Sequence, residues 1–214
     1  AQTEVSESTR TATFTPGRDA ARKEASKLNV PRIGVRFRLP ASMNQVEYFG
    51  RGPAENYLDR NAGSMVGLYK STAEELYFPY VRPQENGHHT DTRWVSLSTG
   101  KKGLLIQADN TIGFNALRNS IEDFDDEEAT GLSRQWSNFT PEQVANHDEA
   151  AAKNVLRRQH HINDITPRDF VEVCVDLKQQ GVAGYDSWGS RPEPAYTLPA
   201  NREYNWGFTL IPLK

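Results

Sequence analysis

The side chains of this chain suited to acid–base work are carboxylates in turn-rich segments: Glu55, Asp59, Glu85, Asp91 and Asp186. Two carboxyl groups about 5 Å apart, or roughly 6.5 to 9.5 Å apart, can cleave a glycosidic bond with retention or inversion. Here no spacing singles out a pair. The pairs His88-His89 and His160-His161 suggest metal ligation, but neighbouring residues on a strand point to opposite faces, so each pair offers at most one ligand to a given site, and no metal site is assigned. The stretch "GYDSWGS" from 184 to 190 places Trp188 between glycines in a polar segment. An indole held flat can stack on the C–H face of a pyranose while polar neighbours take its hydroxyls. It can equally cover the edge of a core, and the residues alone leave both readings open. Gly184 and Gly189 permit unusual backbone angles, and Asp186 can bind the main chain two residues on.

Strands must position these groups. In "IGVRFRL", Ile33, Val35, Phe37 and Leu39 alternate with Gly34, Arg36 and Arg38, which predicts a strand with one wet face. "VEVCVDLK" repeats the pattern with Val171, Val173, Val175 and Leu177, and "EYNWGFTLIPL" with Tyr204, Trp206, Phe208 and Leu210. Shorter runs at 46–49, 93–97 and 104–108 are separated by turn residues with few helical crossovers between them, so an antiparallel sheet is expected. One helix is predicted near 140–154, with Thr140 as N-cap, Pro141 at the first position and Gln143 completing a capping box; Thr140 also ends the sequon "NFT" at Asn138. A shorter turn is predicted to start at Ser71 with Glu74 three residues on. Residues 122–128 are strongly acidic and read as a solvated loop.

With 214 residues, 36% hydrophobic and 25% charged, the chain suits a single all-β domain. A net charge of −3 leaves no basic footprint for nucleic acid. No apolar run approaches the roughly 20 residues of a membrane-spanning helix, so neither nucleic acid nor membrane is expected as a partner. Cys174 stands alone, excluding an intrachain disulfide, and is expected as a small core side chain. A single cysteine neither requires nor excludes an oxidising compartment.

The stretches "VPRIGVRFRLP", "VEYFGRGPAENYLDR", "GLYKSTAEELYFPYVRPQENGHHTDTRW" and "GVAGYDSWGSRPEPAYTLP" lie in one order across residues 30–214. Together they resemble the C-terminal, small-chain domain of bacterial family 2 β-galactosidases. The resemblance implies an antiparallel supersandwich like that of galactose mutarotase, forming a single domain over 1–214. It implies hydrolysis of terminal β-D-galactosides such as lactose by the complete enzyme. In this family the tryptophan of the "DSW" motif reaches a sugar site built mainly by a central barrel domain, so Trp188, with Asp186 and Ser187, is expected to bind substrate. Asn56, Glu85, Asn86 and His88 are candidates for the rim, although their turn-rich context also suits a structural role. The catalytic glutamates and the magnesium and sodium sites belong to other domains of such enzymes, so no catalytic residue, metal or other cofactor is assigned to this chain.

The chain departs from the family pattern at Tyr185, where an aspartate is usual, and at Ala183, where glycine is frequent; the segment 118–139 reads as an insertion. The family domain begins before the matching region, so the first strands are expected to be missing. The expected partners are the β-galactoside, the catalytic barrel as a domain or subunit, and in one reading a second copy of the chain. Two other classes of function are carried alongside: a non-catalytic carbohydrate-binding or assembly module, and a mutarotase-like epimerase using His88 or His89 with Glu85 as acid and base.

Overall fold

The structure is a computed structural model that describes residues 29–124, 162, 165–186 and 189–214. The helix expected near 140–154 and the sequon at Asn138 lie outside these residues, as do Ser187 and Trp188. The described residues form an all-β, antiparallel fold of seven strands: β1 (Arg32–Pro40), β2 (Gln45–Gly52), β3 (Met65–Thr72), β4 (His89–Ser98), β5 (Gly103–Leu117), β6 (Phe170–Gln179) and β7 (Phe208–Leu213). They make one sheet in the order β1-β6-β5-β4-β2-β3. The long β5 pairs with β7 through residues 103–108 and with β6 through residues 113–117. Between these halves its register with β4 shifts, which lets one strand serve both neighbours.

The alternation predicted for β1 is present: Val35, Phe37 and Leu39 are half-buried while Arg36 and Arg38 are exposed. Strand β6 departs from simple alternation, because residues 171–176 are buried on both faces. Its valines enter the core with Tyr48, Val95, Leu97, Ile106 and Phe114. Its other face carries Glu172, Cys174 and Asp176, which polar groups of neighbouring segments cover. Arg36 and Arg38 of β1 reach Glu172, at 3.5 and 3.1 Å. Cys174 is free and buried, as expected.

Connecting segments complete the core through Ala73, Leu76, Phe124 and Trp206. The turn after β3 is capped one residue later than predicted: Thr72 Oγ1 accepts the Glu75 amide at 3.2 Å and Glu75 accepts the Thr72 amide at 3.1 Å. That reciprocal pair satisfies two amides that Ser71 and Glu74 would leave open. Of the segment 118–139 read as an insertion, the described residues 118–124 are fastened to the start of β6. Asp123 accepts from the Arg168 guanidinium, and Arg118 donates to the carbonyls of Arg168 and Phe170 at 3.0 and 3.2 Å. Strand β3 is a sheet edge, and Met65, Val66 and Leu68 on it are exposed.

Candidate functional site

The segment that follows β6 carries the tryptophan motif, and the fold anchors its described residues one after another from the base. The base begins at a buried polar cluster. Arg32, at the start of β1, places Nη2 at 2.5 Å from Glu85, 2.9 Å from Asn115 Oδ1 and 2.7 Å from Gln179 Oε1. Its Nε lies 3.1 Å from Asp176 Oδ2, an ion-pair distance without the alignment of a hydrogen bond. Asp176 is fully enclosed, and neither of its oxygens has a hydrogen-bond partner among the described residues. A charge so placed is costly to desolvate, so burial pushes its carboxyl up to about 7; Arg32 opposes that shift and Glu85 adds to it.

His88 completes the cluster. Asn115 donates through Nδ2 to the carbonyl of Asn86 at 2.7 Å, which leaves Oδ1 as the acceptor facing His88 Nδ1 at 2.8 Å. His88 therefore carries its proton on Nδ1 and is neutral. Burial pushes its pKa down to about 3, and the nearby Arg32 lowers it further against the Asn115 bond. The ring stacks on Tyr57 with centroids 5.6 Å apart and packs on Gly113, where a Cβ would meet its Cε1 at 2.6 Å. His89 is buried beside it, and burial lowers its pKa as well.

From this cluster the chain leaves β6 under continuous restraint. Gln179 is held by Arg32, the Gln180 amide donates to Pro31 O at 2.9 Å, and the Gly181 amide donates to Tyr196 O at 2.8 Å. Asp59 then accepts the amides of Val182 and Ala183, at 3.0 and 2.8 Å. Ala183 takes φ 57°, left-handed for a residue with a side chain, and Gly184 and Gly189 also have positive φ. Ser190 Oγ draws the far side of the loop inward by accepting the amides of Gly184 and Tyr185, at 3.3 and 3.1 Å. Asp186 is exposed on this loop, two residues before Trp188.

The candidate rim residues have other surroundings. Asn56 is fully buried and acts as a pin: its Oδ1 accepts from the amide and hydroxyl of Thr90, at 2.9 and 2.6 Å, and its Nδ2 donates to the carbonyls of Arg51 and Ala54. Asn86 accepts the Phe78 amide and is equally enclosed. Asn56, Asn86 and His88 are thus at most 1% exposed, with their side chains held in internal hydrogen bonds. Glu85 is half-buried against Arg32. The same geometry bears on the acid–base pair of an epimerase. Beside Glu85 and Asn115 the interior holds a cavity of about 10 Å³, far too small for a pyranose. A concavity of about 490 Å³ lies at Glu47, Trp94, Gln107 and Leu213, and none of the described residues of the loop or its anchors lines it. Among the described residues no cluster of His, Cys, Asp and Glu converges as a metal site.

Sequence reasoning passed over two residues. Arg32 enters only within the stretch "VPRIGVRFRLP", with no role of its own, and Asp59 as one turn carboxylate among five. Their partners lie far along the chain, so no local spacing could have marked them. Asp59 is presented by a tight turn in which Tyr57 and Arg60 pair. Glu55 secures that turn by accepting from Arg60, from the Gly87 amide and from the Tyr80 hydroxyl. The stretch "ENYLDR" therefore builds a rigid support for one carboxyl group aimed at the loop.

Residues 2–210 match the family model described as β-galactosidase small chain, and the chain belongs to that family. Among named relatives, a β-galactosidase of Priestia megaterium is 35% identical over 185 residues, 86% of this chain and 15% of that protein. A β-galactosidase of Arthrobacter sp. (strain B7) is 40% identical over 49% of the chain and 11% of its own length. One from Vibrio cholerae is 29% identical over 85% of the chain and 14% of its length. The chain thus spans about 15% of the length of the curated relatives it matches.

Proposed function

We propose that this chain is a component of a β-galactosidase that hydrolyses terminal β-D-galactosides such as lactose, contributing to the sugar site while the catalytic glutamates lie in a barrel domain outside it. The observation that carries this reading is the family match over residues 2–210 together with relatives named β-galactosidase that are several times longer. In this reading residues 1–214 form a single domain that docks on the barrel. Trp188 supplies a platform for the apolar face of galactose, and Asp186 and Ser187 take hydroxyls at its edge. The anchoring of 181–184 and 190 supports this, because a platform lowers the cost of binding only if it is held before the sugar arrives. Glu85, Asn56, Asn86 and His88 support the base of the loop. The magnesium and sodium ions of the complete enzyme belong to its other domains.

The test is hydrolysis of a nitrophenyl β-galactoside by the chain alone and after mixing with the remainder of the enzyme. Stabilising an oxocarbenium-like transition state requires a pair of suitably spaced carboxyls. The pure chain should show no turnover above background, and the combination should restore it. Turnover by the chain alone, abolished by changing one of its own Asp or Glu residues, would overturn the reading.

A further inference from the structure

We propose that Asp59 is the positioning residue of the sugar-binding loop: its carboxyl group fixes the backbone at Val182 and Ala183 and thereby sets where Tyr185 and Asp186 meet the galactoside. This rests on the reading that the loop faces the sugar, but the clamp itself is built from described residues. Two consecutive amides, those of Val182 and Ala183, converge on one carboxyl group at 3.0 and 2.8 Å. At the second of these amides the backbone is left-handed, with Ala183 at φ 57°. An alanine there is strained by roughly 1 kcal/mol relative to an ordinary backbone region and persists only where its surroundings impose it.

The carboxyl group also lies flush against the chain. A Cβ on Gly181 would stand 2.4 Å from Asp59 Oδ2, so only glycine lets the backbone pass this close. Opposite this clamp, the Ser190 hydroxyl binds the amides of Gly184 and Tyr185. Among the described residues, Asp59 is a side-chain anchor supplied from outside the loop, 123 residues earlier in the chain. The turn that carries it is itself braced by Glu55. Motion of that turn would therefore be passed to the loop through the Asp59 side chain.

The experiment uses the full-length β-galactosidase containing this chain, with Asp59→Ala, Asp59→Asn and, separately, Trp188→Ala. Two quantities are read on folded protein: KM for a nitrophenyl β-galactoside, and the rate of chymotryptic cleavage after Tyr185, followed by mass spectrometry. Asp59→Ala should raise KM about tenfold, since a misplacement near 1 Å at a binding group can cost up to about a hundredfold, and cleavage after Tyr185 should accelerate. Asp59→Asn keeps one acceptor for the two amides, so it should fall between wild type and Asp59→Ala in both readouts; it carries the test if the alanine variant does not fold. A KM at the wild-type value for the folded Asp59 variants, or a raised KM with cleavage after Tyr185 unaltered, would overturn the proposal. Trp188→Ala separates the two ideas. If it leaves KM unaltered while the Asp59 variants raise it, the ring is not the platform but the clamp stands. If it raises KM while the Asp59 variants do not, the platform stands and the clamp falls.

Discussion

Replacing Asp176 by asparagine isolates the buried cluster that starts the loop. In the folded protein the Asp176 carboxyl is raised from 3.8 to about 7 because burial disfavours its charge. Between those values the unfolded chain has released the proton and the folded chain retains it, so this group's contribution to stability falls as pH rises. At about 1.4 kcal/mol per pH unit the interval is worth about 4 kcal/mol. The asparagine side chain cannot titrate, and with similar shape it removes that slope. The stability of Asp176→Asn relative to wild type should therefore improve by about 4 kcal/mol from pH 4 to pH 7, whatever the offset at pH 4. His88→Gln supplies the opposite control. His88 is lowered from 6.5 to about 3, so it contributes stability that is present above pH 6.5 and lost as pH falls toward 3, and its removal should make the variant comparatively better at low pH. The assay is chemical denaturation at half-unit pH steps, with free energies compared pairwise. Parallel curves for wild type and Asp176→Asn from pH 4 to 7 would refute the reasoning, because they would mean that Asp176 ionises in the fold as it does in water.

Gly34→Ala should cost about 3 kcal/mol, since its Cβ would lie 2.0 Å from Asp176 Oδ1 and 2.7 Å from Val175 O; a midpoint within a degree of wild type in thermal unfolding would contradict this. Phe114→Ala, at a fully buried position beside Tyr48 and His89, should cost about 3 to 5 kcal/mol in the same assay. Arg32→Met leaves Asp176 and Glu85 without their cation, and its loss of about 3 to 5 kcal/mol at pH 8 should shrink at pH 5, where Asp176 is neutral in the fold.

How far the sequence could be read depended on the range of the interactions. The two-residue period of Ile33 to Leu39 places β1 because side chains on a strand alternate faces whatever the partner, and the structure has that pattern. The same rule assigned only one buried face to β6. It could not see that Glu172 and Asp176 are covered as well, since their cover comes from arginines more than 130 residues away. The cap after β3 slipped by one residue because Ser71-Glu74 and Thr72-Glu75 are equivalent in local chemistry, and only the path of β3 decides between them. For Asn56 and His88 the sequence left a rim role and a structural role open, because a polar residue in a turn can serve either, and here each is held in buried hydrogen bonds. Asp59 was legible as a turn residue and illegible as a clamp, because the amides it holds follow it by 123 and 124 residues.

The claim that this chain contributes a sugar platform is tested most directly by Trp188→Ala in the full-length enzyme, with KM for a β-galactoside and the unfolding midpoint measured on the same preparation. Loss of an aromatic stacking contact is worth on the order of 1 to 3 kcal/mol, or roughly 5- to 150-fold in affinity. The account predicts a KM raised within that range with the midpoint close to wild type. An unaltered KM with a midpoint lowered by many degrees would show that the ring belongs to the core and does not meet the sugar.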